Sequence, residues 1–145
     1  MKSQPAVTGV GNNLIADHQH LDALFERLLD DIHGGDASVC QATWTTFEKA
    51  LLAHLEFEEV LLLPMFEATN PEETETLRRQ HAKLRYLLAE MGVRLELHAV
   101  KEENVRSLVE FLRAHALREE VLLYRWSNAL SREAAESLIE RLPSQ

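Results

Sequence analysis

The sequence predicts an all-α fold: an antiparallel up-down-up-down four-helix bundle with an N-terminal arm and a short C-terminal fifth helix. Four long segments carry apolar residues at intervals of three and four, which is the period of a helix with one buried face. Short turn signals separate these segments, so consecutive helices are expected to be antiparallel neighbours. The 145 residues fit one domain, 1–145, whose core bundle is expected at 13–128.

The beginning of the chain predicts an arm followed by the first helix. Residues 1–12 have no apolar periodicity and contain two glycines, which favours an extended arm. Asn12 or Asn13 is expected to cap a helix that ends near His33, because two glycines follow it. The buried stripe of this helix is expected to consist of Leu14, His18, Leu21, Phe25, Leu28 and Ile32.

The second helix is expected to begin at Asp36 or Ser38, since both residue types cap helices well, and to end near Phe66. Pro64 is expected to bend its last turn, because proline cannot donate a backbone hydrogen bond. Its stripe is expected to consist of Trp44, Phe47, Leu51, His54, Glu58, Leu61 and Met65.

The remaining helices follow from caps and periodicity. Asn70-Pro71-Glu72-Glu73 places proline and acids in the first turn of a third helix that ends near His98. A fourth helix is expected to reach about Asn128, and Ser131 is expected to cap a fifth that packs across one end of the bundle or in a dimer contact. The stripe of the third is Leu77, His81, Leu84, Leu88, Met91 and Leu95; that of the fourth is Val105, Leu108, Leu112, His115, Glu119, Leu122 and Trp126; that of the fifth is Ala134, Leu138 and Leu142.

Polar residues interrupt every long stripe at one level of the bundle. The order histidine, then His-x-x-x-Glu, occurs twice along the chain: His18 with His54 and Glu58, and a second set of three. The second set is His81, His115 and Glu119. Residues equidistant from a turn lie side by side in an antiparallel hairpin, and the midpoints between successive members fall in the three predicted turns. The sequence therefore predicts that six polar side chains meet in one layer of the core.

A metal centre explains this layer better than isolated buried histidines do. An ionised carboxylate in an apolar interior costs several kcal/mol unless something neutralises it, and without metal we expect burial to raise the pKa of Glu58 and Glu119. Four histidines and two carboxylates are too many ligands for one tetrahedral zinc ion, but they suit two ions bridged by glutamates. Imidazole and carboxylate favour iron, and manganese or zinc could occupy the same ligands.

Four motifs resemble a known family, the bacterial hemerythrin-like or HHE cation-binding domain, over about residues 13–128. They are Asp17-His18-x-x-Leu21, His54-x-x-x-Glu58, Gln80-His81-x-x-Leu84 and His115-x-x-x-Glu119. The resemblance implies a four-helix bundle with a non-haem di-iron centre. It also implies binding or sensing of oxygen, nitric oxide or peroxide, in redox or iron homeostasis. The ligands that it implies are His18, His54, Glu58, His81, His115 and Glu119.

The chain departs from the oxygen carriers of this family at two positions. Arg85 stands where the carriers have a further histidine, and its charge could stabilise an anionic ligand. The last carboxylate, Glu119, follows its histidine at four residues instead of five, and Glu120 lies off the stripe. Reversible oxygen carriage is therefore not expected.

Several other polar or aromatic residues are interpreted as surface or as residues without a role. Asp22 could be a seventh ligand, but solvent exposure is the favoured interpretation. Residues assigned to the helix surface are Glu56, Glu59, Glu102 and Glu103, and the histidines outside the layer are His20, His33 and His98. Tyr86 and Tyr124 lie off the stripes and receive no role.

Composition limits the partners and the location. A net charge of −9, from 15 basic and 24 acidic residues, disfavours nucleic acid or an anionic membrane as partner. No apolar run approaches 18 residues, and residues 1–5 lead into no signal peptide. The lone Cys40 agrees with a reducing compartment, so a cytoplasmic protein is expected. A homodimer is a separate expectation. Two alternatives to the ligand-binding protein stay open: a di-iron oxidase, peroxidase or nitric-oxide-reducing enzyme, and a metal-free helical interaction module.

Overall fold

The computed structural model describes residues 9–143 and contains no strand within them. The α-helical segments are Val10–Gly34, Ala37–Phe57, Leu63–Glu67, Pro71–Glu96, Glu102–Glu119, Arg125–Ser127 and Arg132–Glu140. Two π-helical turns, Glu58–Leu62 and Glu120–Tyr124, join the segments on either side of them without a break. The result is four long helices and a short fifth one, and the predicted fold class is confirmed.

Neighbouring helices pack in the order that an up-down-up-down bundle requires. The first helix packs against the second and the fourth, and the third packs against the same two. Short turns connect them: one between Gly34 and Ala37, one between Glu67 and Pro71, and one between Glu96 and Glu102. The polar layer therefore receives side chains from all four long helices.

Most of the predicted helix boundaries agree with the structure. Oδ1 of Asp36 accepts hydrogen bonds from the backbone N–H groups of Ser38 and Val39, and the Ser131 side chain accepts one from the N–H of Ala134. Gly35 ends the first helix with a φ of 77°, a conformation that favours glycine. Local capping chemistry thus fixes the starts of the second and fifth helices.

The predicted start of the first helix was wrong. The helix begins at Val10, with Gly9 in the cap position, and not after Asn12 or Asn13. Val10 is fully buried, and a Cβ atom at Gly11 would lie 2.1 Å from the backbone oxygen of Tyr124. Gly11 therefore allows the first and fourth helices to approach closely. Residues 1–8 of the predicted arm lie outside the described residues.

The predicted stripes are wrong beyond each His-x-x-x-Glu motif. Leu61 is only partly buried and Met65 is exposed, whereas Leu62 and Phe66 are buried in the second helix. The cause is the π-helical turn, in which the backbone N–H of Leu63 bonds to the oxygen of Glu58, five residues earlier. One extra residue per turn rotates everything beyond it by about 100° relative to a regular α-helix.

The fourth helix repeats this shift. Leu122 is 44% exposed and Trp126 is only partly buried, whereas Leu123 and Tyr124 are completely buried. The π-helical turn here spans Glu120–Tyr124 and begins one residue after Glu119, whereas the turn in the second helix begins at Glu58 itself. Because of this shift, the side chain of Tyr124 points into the core at the level of the polar layer.

Two apolar clusters lie on either side of the polar layer. One consists of Leu21, Phe25, Leu28, Trp44, Phe47, Leu51, Leu55, Leu84, Leu88, Met91, Val105 and Leu108. The other, at the end of the bundle that holds the first residues of the first helix, consists of Val10, Leu14, Phe57, Leu62, Leu63, Phe66, Leu77, Leu123, Tyr124, Ala135 and Leu138. The fifth helix packs against this end through Ala135 and Leu138, so Ala135 replaces Ala134 in the predicted stripe. Within residues 9–143, no helix has both the length and the hydropathy that a membrane crossing would need.

Candidate metal centre

The structure brings all six predicted ligands together in the core. His18 comes from the first helix, His54 and Glu58 from the second, and the other three from the third and fourth. The His18 side chain is 10% exposed. The side chains of the other five are buried; they are His54, Glu58, His81, His115 and Glu119. The layer is therefore closed to bulk water except beside His18.

Glu119 contacts three of the four histidines. Its Oε2 lies 3.0 Å from Nε2 of His81 and 3.1 Å from Nε2 of His115. Its Oε1 lies 3.3 Å from Nε2 of His18. Two groups of potential metal ligands share this glutamate: one comprises His18, His54 and Glu119, the other Glu58, His81, His115 and Glu119. Glu119 can thus bridge two adjacent positions.

Glu58 lies farther from the histidines than Glu119 does. Its Oε1 lies 3.4 Å from Nε2 of His54 and 3.4 Å from Nε2 of His81. Among buried side-chain atoms of the described residues, Oε1 of Glu58 and Nε2 of His115 lack a hydrogen-bond partner. Buried polar atoms without partners are rare, because each costs about 1–3 kcal/mol. A bound cation would accept the lone pairs of both atoms, so the residues fit a bound metal.

Every histidine of the layer uses its outer nitrogen, Nδ1, to bind a neighbouring helix. The acceptors are Glu120 for His18 at 3.2 Å, Asp17 for His54 at 2.5 Å, Glu59 for His81 at 3.0 Å and Gln80 for His115 at 2.7 Å. Because these oxygens accept, each Nδ1 carries a proton, so Nε2 is the nitrogen that faces the layer and can bind a metal once it is unprotonated. Outer partners of this kind orient metal-binding imidazoles.

Sequence reasoning missed these four acceptors, although each adjoins a predicted ligand. Asp17 and Gln80 directly precede the histidines of the first and third helices. Glu59 and Glu120 directly follow the two motif glutamates. A neighbour in sequence lies about 100° around the helix, so at the edge of the stripe it reaches the adjacent helix. The interpretation of Glu59 as solvated surface was therefore wrong.

Tyr124 is the main residue of the layer that the sequence analysis missed. Its hydroxyl oxygen lies 2.7 Å from Nε2 of His18, 3.0 Å from Nε2 of His54, 2.6 Å from Oε2 of Glu58 and 3.1 Å from Oε1 of Glu119. The regular helical period placed Tyr124 off the stripe, and the π-helical turn brings it in. No pattern that we identified in the sequence predicts that turn.

Arg85 and Asp22 lie outside the layer. Nη2 of Arg85 lies 2.6 Å from Oε1 of Glu59, and the arginine side chain is 42% exposed. Glu59 therefore holds this guanidinium at the edge of the bundle, and the expected role of Arg85 in stabilising an anionic ligand stays a prediction. Oδ1 of Asp22 lies 3.0 Å from Nε of Arg113, with the aspartate side chain 50% exposed, which agrees with its assignment to the surface.

The charges of the layer are mutually compensating in the absence of metal. Burial lowers the pKa of His81, but hydrogen bonds to Glu119 and Glu59 and the nearby carboxylate of Glu58 outweigh it and raise the pKa to about 11. Burial also lowers the pKa of His18, and Glu119 is the main group that raises it to about 9. Burial raises the pKa of Glu119, but the surrounding histidines hold it well below the usual range. The expected rise in the pKa of Glu119 was therefore wrong, because histidinium neighbours replace the metal charge.

Two further pKa values shift at the edge of this network. Hydrogen bonds to His81 and to Arg85 lower the pKa of Glu59 to about 2, although partial burial acts to raise it. Burial raises the pKa of Tyr124 well above its ordinary value, and the negative charges of Glu119 and Glu58 raise it further. In the metal-free protein Tyr124 is therefore a neutral phenol that donates its hydrogen bond to a carboxylate.

Comparison with known proteins agrees with this geometry. The family model described as the hemerythrin HHE cation binding domain matches residues 10–127, which includes every residue of the layer. Neither a curated protein nor a solved structure matches the chain. The family is one of cation-binding domains, and the buried histidine–glutamate cluster could hold a metal ion. The chain therefore belongs to the hemerythrin HHE cation-binding domain family.

Proposed function

We propose that this protein holds two iron ions in the polar layer and uses them to bind or sense oxygen or a related small molecule, such as nitric oxide or peroxide. The observation that carries the proposal is the arrangement of four inward-facing Nε2 atoms around two glutamates. The proposed ligands are His18, His54, Glu58, His81, His115 and Glu119.

The ligand set supports two ions. His18 and His54 lie on one side, with their Nε2 atoms 3.1 Å apart. The other two histidines face the opposite carboxylate oxygen of Glu119, so each position would have two imidazoles and a share of the glutamates. Mixed imidazole and carboxylate ligation favours iron over calcium or magnesium, and manganese or zinc could substitute.

Access to the layer favours a small ligand. A cavity of about 30 Å³ lies between the first and fourth helices beside His18, lined also by Leu21, Leu112 and Ala116. This volume admits a molecule of two or three atoms. When bound, a pair of ferrous ions supplies electrons and open coordination positions for such molecules. The surrounding leucines exclude bulk water, and the Nδ1 hydrogen bonds keep the imidazoles in place.

The proposed role in the cell rests on the chemistry of the proposed centre. Binding of oxygen, nitric oxide or peroxide suits a protein of redox or iron homeostasis. A location in the cytoplasm, a homodimeric state and the lack of a nucleic-acid partner stay predictions from the sequence.

The test of this function begins with metal loading. Protein loaded anaerobically with ferrous iron should hold about two ions per chain, since the ligands form two groups that share a glutamate. His115→Ala should reduce this number, whereas His98→Ala, at an exposed histidine outside the layer, should not. The loaded wild type should then change its absorption spectrum on mixing with oxygen or nitric oxide. Protein that binds iron but responds to neither molecule, nor to peroxide, would refute the ligand-binding function.

A further inference from the structure

We propose that Tyr124 is a seventh protein ligand, which binds the iron ion at the His18–His54 position through its phenol oxygen. The inference rests on the proposed di-iron centre and deepens it by making the two metal positions chemically different. Its starting point is the burial of this tyrosine: the side chain has no exposed surface, and its oxygen contacts four ligand atoms at once.

The distances around the Tyr124 oxygen are those expected within one coordination shell. Donors about 2.1 Å from an octahedral ion lie about 3.0 Å from their nearest neighbours in the shell. The Tyr124 oxygen lies 2.7 and 3.0 Å from Nε2 of His18 and His54, and 2.6 and 3.1 Å from oxygens of Glu58 and Glu119. One vertex of an octahedron has four such neighbours.

The second metal position has no equivalent of Tyr124. Tyr124 follows Glu119 by five residues, and the residue that follows Glu58 by five is Leu63. Leu63 is fully buried, lies next to the other π-helical turn and offers no donor atom. The two halves of the chain thus repeat the histidines and glutamates but differ at this point.

The outer hydrogen bonds add to the same asymmetry. His18 and His54 donate to the carboxylates of Glu120 and Asp17. On the other side, His115 donates to the neutral amide of Gln80. The carboxylate of Glu59, which accepts from the remaining histidine, is paired with Arg85. Negative charge therefore concentrates at the His18–His54 position, which favours the more highly charged ferric ion there.

Ligation exchanges a hydrogen bond for a metal bond. In the metal-free protein the phenol donates to Oε2 of Glu58 at 2.6 Å. When iron binds, the O–H bond breaks, its proton leaves to solvent and the phenolate oxygen bonds to the ion, with no change in oxidation state. The carboxylate released from this hydrogen bond becomes available to bridge.

The experiment uses the two tyrosines of the chain. Tyr86 is 67% exposed and serves as the matched control, and Tyr86→Phe leaves Tyr124 as the sole tyrosine. Wild type, Tyr124→Phe and Tyr86→Phe are loaded with ferrous iron and oxidised to the ferric form. Visible absorption, resonance Raman spectra and iron content are then measured for each. A phenolate bound to ferric iron gives charge-transfer absorption and enhances the vibrations of the tyrosine ring.

The expected result is a tyrosinate signal in wild type and Tyr86→Phe that is lost in Tyr124→Phe. Ring-deuterated tyrosine should shift the enhanced vibrations in Tyr86→Phe, which tests the assignment even where Tyr124→Phe does not fold. Iron-loaded wild type without the signal, or Tyr124→Phe that keeps it, would overturn the inference while the di-iron proposal stands. Wild type that binds no iron would overturn both.

Discussion

Oδ2 of Asp17 lies 2.5 Å from Nδ1 of His54, although the two residues are 37 positions apart in the chain. The contact joins the first helix to the second at the level of the polar layer. It fixes the proton on Nδ1 and leaves Nε2 to face the other ligands. The geometry of the polar layer therefore depends on residues outside the six proposed ligands.

Asp17→Ala should lower metal affinity by about 10–100-fold, the usual effect of removing an outer partner of a metal-binding histidine. The imidazole of His54 would lose its fixed orientation while the protein keeps all six ligands. Asp22→Ala is the control, because that carboxylate is exposed and pairs with Arg113 at the surface. Competition with a chelator measures both. Equal affinities for the two variants would contradict the role of Asp17.

The pH dependence of the metal-free protein follows from two histidines. The pKa values of His18 and His81 are raised to about 9 and about 11. Their contribution to the free energy of unfolding is therefore complete below about pH 6.5 and is lost as the pH rises through those two values. The metal-free protein should lose stability between pH 8 and 11, to the extent of this contribution, as followed by thermal unfolding. His33→Ala, at an exposed histidine, should keep the same profile.

The same protonation should be visible when metal binds. Imidazole must be neutral to bind metal, so about two protons should leave His18 and His81 at neutral pH, besides any from the phenol of Tyr124. Zinc serves as a probe without redox chemistry. Calorimetry in two buffers of different ionisation enthalpy counts the protons, and affinity should rise from pH 6 to pH 8. Binding without proton release would contradict the protonated layer.

Replacement of the two glutamates should have unequal effects on the metal-free protein. Glu119 contacts three histidines, so Glu119→Leu leaves buried cations without their partner and should cost about 3–5 kcal/mol. Glu58→Leu should cost less, because Oε1 of Glu58 has no hydrogen-bond partner. Denaturant unfolding of the metal-free variants gives both values. A larger loss for Glu58→Leu would contradict this account of the layer.

The donor layer was predictable from sequence because helical period and turn position suffice to place it. His54 and Glu58 lie one turn apart on the same face, and antiparallel hairpins bring residues equidistant from a turn together. The π-helical turns were not predictable in this way, since a regular period was assumed through each helix. That assumption put Leu122 in the core and Tyr124 outside it, and the structure has the reverse. The acceptors of the histidine Nδ1 atoms were missed because they lie on a neighbouring helix, outside the stripe that the helical period predicts.

The position of Tyr124 can be tested through the close contact between the first helix and the fourth. A Cβ atom at Gly11 would lie 2.1 Å from the Tyr124 backbone oxygen, so Gly11→Ala must displace one of the two helices. We expect a loss of about 1–3 kcal/mol in the free energy of unfolding. Gly34→Ala is the control, since a Cβ there meets nothing within 4 Å. Denaturant unfolding of both variants decides, and equal stability would contradict the close approach.

The most direct test of the central claim is a crystal structure of the iron-loaded protein with anomalous data collected at the iron edge. The account predicts two anomalous peaks about 3.5–4 Å apart. Both should lie among the Nε2 atoms of the four histidines of the layer, with Glu58 and Glu119 between them. A single peak, or peaks outside the layer, would contradict it.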